Sequence, residues 1–160
     1  MDWSSISYKP GRFVITALNS NLVATSLNGV TWTTATMPTY GQWVSVTYNS
    51  LLNKFLAVDG LYSENAAYSN DGALWVPINT TASNSYNFTS VSNNSIDGGN
   101  YFIALGTGGI NTNKIYISDS GTYLNQYTIP YSYQWSSIDY GLGKWVGLSK
   151  GPSNKSLLIM

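Results

Sequence analysis

One outline recurs four times along the chain, and such a repeat restricts the fold more than any single residue does. Each copy opens on an alternating run: Trp3-Ser-Ser-Ile-Ser-Tyr8, Trp43-Val-Ser-Val-Thr-Tyr48, Phe88-Thr-Ser-Val-Ser-Asn93 and Trp135-Ser-Ser-Ile-Asp-Tyr140. The openings lie 40, 45 and 47 residues apart. A second segment follows a short turn, and its aromatic residues, Phe13, Phe55, Phe102 and Trp145, recur at 42, 47 and 43 residues. Two landmarks with matching spacing exclude coincidence.

A third segment runs into a Ser-x-x-Gly turn, carried by Ser26 and Gly29, by Ser69, Asp71 and Gly72, and by Ser118 and Gly121. Asn-Gly and Asp-Gly between β-rich runs signal a tight hairpin in which both central residues adopt positive φ. An aromatic residue, Trp32, Trp75 or Tyr123, opens a fourth segment, with Pro38, Pro77 or Pro130 further on. Proline cannot donate to a ladder, so this segment suits an outermost strand. Helical periodicity is absent, and β-branched and aromatic residues alternate with small polar ones. The fold class is therefore all-β.

Units of about 40–50 residues with four strands each are blades of a β-propeller. The opening strand should line the central axis. The expected blades are 3–42, 43–87, 88–134 and 135–160, in a single domain of three complete blades and one incomplete. The fourth has sequence for a third strand, Ser156–Met160, and none for an outer one. Unpaired ends are aggregation hazards, so self-association into a larger ring, a homo-oligomer, is expected; the other reading is that the chain is a propeller fragment of a longer protein.

Composition narrows the function. Charged residues make up 9% of the chain and formal net charge is zero, so the basic footprint of a nucleic-acid binder is missing. No apolar run reaches the length of a membrane span, and the N-terminus lacks the basic-then-apolar pattern of a secretory signal. Neither nucleic acid nor membrane insertion is expected. There is no histidine and no cysteine, which removes Ser-His-Asp catalysis and both imidazole and thiolate ligands. No calcium-loop pattern stands among the Asp- and Asn-rich turns either. No metal, cofactor or catalytic residue is assigned, and the chain reads as a non-enzyme.

The Ser-x-Asn/Asp-Gly-x-x-Trp turns resemble the Asp-box of sialidase-like β-propellers. The longer outline is similar to predicted propeller repeats in bacteriophage tail and other virion proteins. The resemblance implies that the Ser26, Ser69 and Ser118 turns are structural and that the setting is virion-like. It does not bring sialidase chemistry. That family uses three arginines and a tyrosine–glutamate pair, whereas Arg12 and Glu64 are the only arginine and glutamate here. Any other glycosidase would need two carboxylates about 5–10 Å apart; Asp59 and Glu64 share a loop and are the one candidate pair.

Binding residues are sought where each blade begins. Tyr40 and Gln42, Tyr86 and Asn87, and Tyr133 and Gln134 place a tyrosine beside a carboxamide at the entrance to three blades. Tyrosine offers a flat apolar face with a polar tip, and Gln and Asn supply both donors and acceptors, a combination suited to sugar hydroxyls. These six residues are the expected ligand site, with a glycan as the expected ligand.

Overall fold

The computed structural model describes residues 1–61, 65–80, 86–107, 113–130 and 132–150, together with the backbone of 157–159. The first blade is an antiparallel meander of β1 (Asp2–Lys9), β2 (Arg12–Leu18), β3 (Ser20–Ser26) and β4 (Thr33–Gly41). The second contains β5 (Trp43–Asn49), β6 (Lys54–Asp59), β7 (Ala66–Ser69) and β8 (Val76–Thr80). The third contains β9 (Asn87–Asn93), β10 (Phe102–Thr107), β11 (Lys114–Ser118) and β12 (Tyr123–Thr128), with a 3-10 turn at Ser95–Asp97 before β10. The fourth has β13 (Gln134–Gly141), β14 (Lys144–Lys150) and β15 (Leu157–Ile159). Among the described residues no helix is long and apolar enough to cross a membrane.

The alternation seen in sequence becomes inter-blade packing. Trp43, Val46 and Phe55 of the second blade pack on Val14, Val23 and Met37 of the first. Phe88, Val91 and Phe102 of the third pack in the same way on Leu56, Val58 and Ile78 of the second. Trp135, Ile138 and Trp145 of the fourth close over Ile103, Leu105 and Ile115. Each sheet is therefore buried on both faces wherever it has two neighbours.

The inner strands β1, β5, β9 and β13 stack in that order, each against the next. They do not close a circle, because β1 and β13 do not share the packing that joins each neighbouring pair. The molecule is an open arc of propeller blades around a common hub.

Two features exceed what the repeats predict. β8 and β12 run parallel, with Tyr123 opposite Asn79 and Leu124 opposite Thr80, so the second and third blades join along their outer strands into one eight-stranded sheet. The inner strands also share a bulge, in which the second residue of the repeat is the extra one. Register shifts between Trp3 and Ser5, between Trp43 and Ser45, and between Trp135 and Ser137. In the third blade the shift falls opposite Thr89. A bulge leaves one residue unpaired and re-aims it; here it faces the next blade.

Candidate functional site

The Ser-x-x-Gly turns are built as follows. Ser69 Oγ accepts from the Gly72 N–H at 2.7 Å and the Asp71 N–H at 3.3 Å. Asp71 Oδ1 then accepts from the Ala73 and Leu74 N–H groups, each at 2.9 Å. Ser26 with Asn28 reproduces this pattern in the first blade. Ser118 does so in the third, with Ser120 in place of the acid. The tight hairpin expected from Asn-Gly and Asp-Gly is not what forms. Only the glycines adopt positive φ, at +73° for Gly29, +79° for Gly72 and +70° for Gly121. The preceding Asn or Asp keeps an ordinary backbone because its side chain caps the following amides. Trp75 joins the inter-blade core and donates its Nε1–H to the Gly72 carbonyl at 3.0 Å. Trp32 lies 6.5 Å from the Phe13 ring, and the Tyr123 hydroxyl donates to Asp119.

Ser69→Ala and Ser118→Ala strand a buried glycine N–H, so each should lower stability by about 1–2 kcal/mol. Ser26→Ala should cost less, because Gly29 is exposed. Urea midpoints of the three variants check the order.

Burial pushes the Asp71 carboxyl up, but the Leu74 and Ala73 amides, the Ser69 hydroxyl and the Arg12 charge outweigh it, leaving it below its ordinary 3.8. A depressed folded-state pKa means stabilisation that is complete above the unfolded value and is lost as pH falls through the folded one. Acid titration of unfolding should therefore show a component below pH 3.8 that Asp71→Asn removes.

The six rim residues sit in different environments. Tyr40 lies on the end of β4 and is 66% exposed. Gln42 bridges two blades by donating from Nε2 to Asn19 Oδ1 at 3.2 Å. Tyr133 is half-buried with its ring edge-on to Trp135 at 5.5 Å, and Gln134 is exposed. Asn87 is half-buried, with Oδ1 enclosed and unpartnered among the described residues.

Tyr86 is corrected outright as a surface residue. It is buried against Phe88 and Tyr116. Its hydroxyl accepts from the Gly106 N–H at 3.0 Å and points its hydrogen toward the Lys114 carbonyl at 2.5 Å. Burial pushes that hydroxyl far above the ordinary tyrosine range. It ties the blade entrance to β10 and β11.

Asp59 is the rim's central polar group, a role the sequence does not announce. Fully buried at the end of β6, it accepts from the Gln42 N–H at 2.8 Å, the Leu61 N–H at 2.9 Å and Asn65 Nδ2 at 3.3 Å. Gly41 must be glycine, because a Cβ there would stand 2.3 Å from Asp59 Oδ2. The carboxylate is thus occupied in holding the β4–β5 linker against the β6–β7 loop. Its proposed companion in glycoside chemistry, Glu64, lies outside the described residues. Among the described residues no group of three or more acids could hold a metal ion.

At the two ends of the arc, repeat positions that are buried elsewhere are uncovered. Trp3 is 47% exposed and Ile6 58%, whereas Trp43, Val46, Trp135 and Ile138 at the same repeat positions are buried under a preceding blade. At the other end Leu148 is 54% exposed, whereas its counterparts Val58 and Leu105 are fully buried.

No family model matches the chain, and no curated protein sequence is significantly similar to it. Solved structures do match. Virginiamycin B lyase from Staphylococcus aureus superposes with a TM-score of 0.73 at 14% identity, over 92% of this chain and 48% of that one. A chain of a nidogen–laminin complex gives 0.71 at 6% identity, over 92% and 55%. YCF48 bound to a D1 peptide gives 0.62 at 9% identity, over 93% and 46%. This chain spans about half the length of the structures it matches. All are β-propellers, and at these identities the likeness extends to the fold: an all-β, incomplete propeller.

Proposed function

We propose that the chain is a non-enzymatic β-propeller module that works by association, assembling through its terminal blades into a larger ring. The observation that carries this reading is the exposure of Trp3 and Ile6 where every equivalent pair is buried between blades. Two matched propellers come from complexes, one with a peptide and one of nidogen with laminin, which supports association as a use of the fold. The matched lyase is an enzyme, but a histidine-to-alanine variant of it is catalytically inactive, and this chain contains no histidine. Light scattering over a concentration series tests the assembly. A mass above one chain that falls on dilution is expected; a single-chain mass at every concentration rejects it.

A second reading has its own support. Tyr40 stands out from the rim beside the Gln42 carboxamide on a surface carrying few charges. This suits weak glycan or receptor recognition in a virion-like setting, and ring assembly would multiply weak sites into avidity. A glycan array probed with wild type and a Tyr40→Ala/Gln134→Ala double variant decides it. Signal lost in the variant supports the rim, and unchanged signal removes it.

A further inference from the structure

We infer that the exposed face of the first blade receives the exposed face of the fourth blade from a second copy of this chain, head to tail, in the register used between its own blades. The inference rests on the assembly reading and adds the surfaces, the register and the partner.

A hydrogen bond repeats at every internal junction. Ser5 Oγ accepts from the Val46 N–H at 3.1 Å, Ser45 Oγ from the Val91 N–H at 3.2 Å and Ser90 Oγ from the Ile138 N–H at 3.2 Å. The bulged residue before that serine adds a second link where it carries a hydroxyl. Ser4 donates to the Trp43 carbonyl, and Thr89 donates to the Trp135 carbonyl at 3.0 Å. The fourth blade presents the same pair, Ser136 and Ser137, and Ser137 is exposed. Ser136 already donates to the Leu148 carbonyl at 3.2 Å, as Thr89 does to that of Leu105 at 3.3 Å. What this edge requires is an N–H and a carbonyl placed like those of Val46 and Trp43. Ile6 and Trp3 occupy those repeat positions in the first blade.

The apolar groups match as well. Between the third and fourth blades, Leu105 reaches the site of Gly147 and Trp135: a Cβ on Gly147 would lie 3.1 Å from Leu105 Cδ1 and 3.2 Å from the Trp135 ring. The first blade has Ile15 and Trp3 at those two positions. A recess of about 290 Å³ lies there, lined by Trp3, Ser4, Ser5, Ile6 and Ile15. Leu148, the counterpart of Leu105, is the side chain that would fill it.

Both halves of the junction thus occur inside the chain in the same sequence, Trp-Ser-Ser-Ile in the first and fourth blades. The arc superposes on about half of the propellers it matches, so two copies, joined by two identical junctions, complete the circle. Such a contact is heterologous and closes only if the rotation closes.

Sedimentation of wild type, Ile6→Asp, Leu148→Asp and an equimolar mixture of the two variants tests this. Wild type should show twice the 17.4 kDa chain mass. Each variant alone should be monomeric, with an unchanged far-ultraviolet spectrum because both positions are exposed. The mixture should recover dimer, because one copy retains an intact fourth-blade face and the other an intact first-blade face. Ser137→Ala removes one hydrogen bond from each of the two junctions and should weaken the dimer about thirtyfold. A Leu148→Asp protein that stays dimeric, a mixture that stays monomeric, or a dimer indifferent to Ser137 overturns the head-to-tail register while leaving assembly intact. A monomeric wild type overturns both.

Discussion

Asp59→Ala should lower the stability of the chain by about 3–5 kcal/mol, one of the largest losses from a single polar side chain. Its carboxylate accepts from the Gln42 and Leu61 N–H groups and from the Asn65 side chain while fully buried. Truncation leaves two backbone donors without the acceptor that replaced water, at about 1–3 kcal/mol each, and removes bonds strengthened by charge. Asp59→Asn keeps one carbonyl oxygen and should cost less than Asp59→Ala. Denaturant unfolding with far-ultraviolet detection measures both. If Asp59→Ala were as stable as wild type, the rim described above would be wrong.

The second large effect separates two tryptophans at the same position in the repeat. Trp43→Ala should cost about 3–5 kcal/mol, the range for a large aromatic residue lost from a packed core. Trp43 is 1% exposed, packs against Val14, Val23 and Met37, and donates Nε1–H to the Thr39 carbonyl at 3.2 Å. Trp3→Ala, at the unmatched end of the arc, should change single-chain stability by less than about 1 kcal/mol. Its cost should appear instead in the dissociation constant of the assembled form. Thermal unfolding at the lowest usable concentration, combined with a dilution series, separates the two quantities. Equal destabilisation of single chains by both substitutions would mean that Trp3 is covered within its own chain.

Spacing alone made the blades legible, because inter-blade packing requires the same aromatic and β-branched residues at the same depth each time. Trp43, Phe88 and Trp135 are buried for that reason. The serine turns were legible too, although their geometry was not: side-chain capping by Asn28 and Asp71 replaced the backbone strain inferred from the dipeptides. The rim fared differently. Tyr86 and Tyr40 occupy similar places in the outline, yet one is enclosed by Tyr116 and the carbonyls around it and the other faces water. That difference comes from neighbours distant in sequence. The third-position serines, Ser5, Ser45, Ser90 and Ser137, stood in plain view in the alternating runs. Their role depends on the bulge beside them, which local sequence does not mark.

The ordered stack of blades around one hub is tested most directly by methyl–methyl nuclear Overhauser contacts in the labelled protein. Contacts are predicted from Val46 to Val14 and Val23, from Val91 to Leu56 and Val58, and from Ile138 to Ile103 and Leu105. Each pairs one blade with its immediate neighbour. Contacts that skip a blade, such as Val14 with Ile103 or Val23 with Ile138, would contradict the arc.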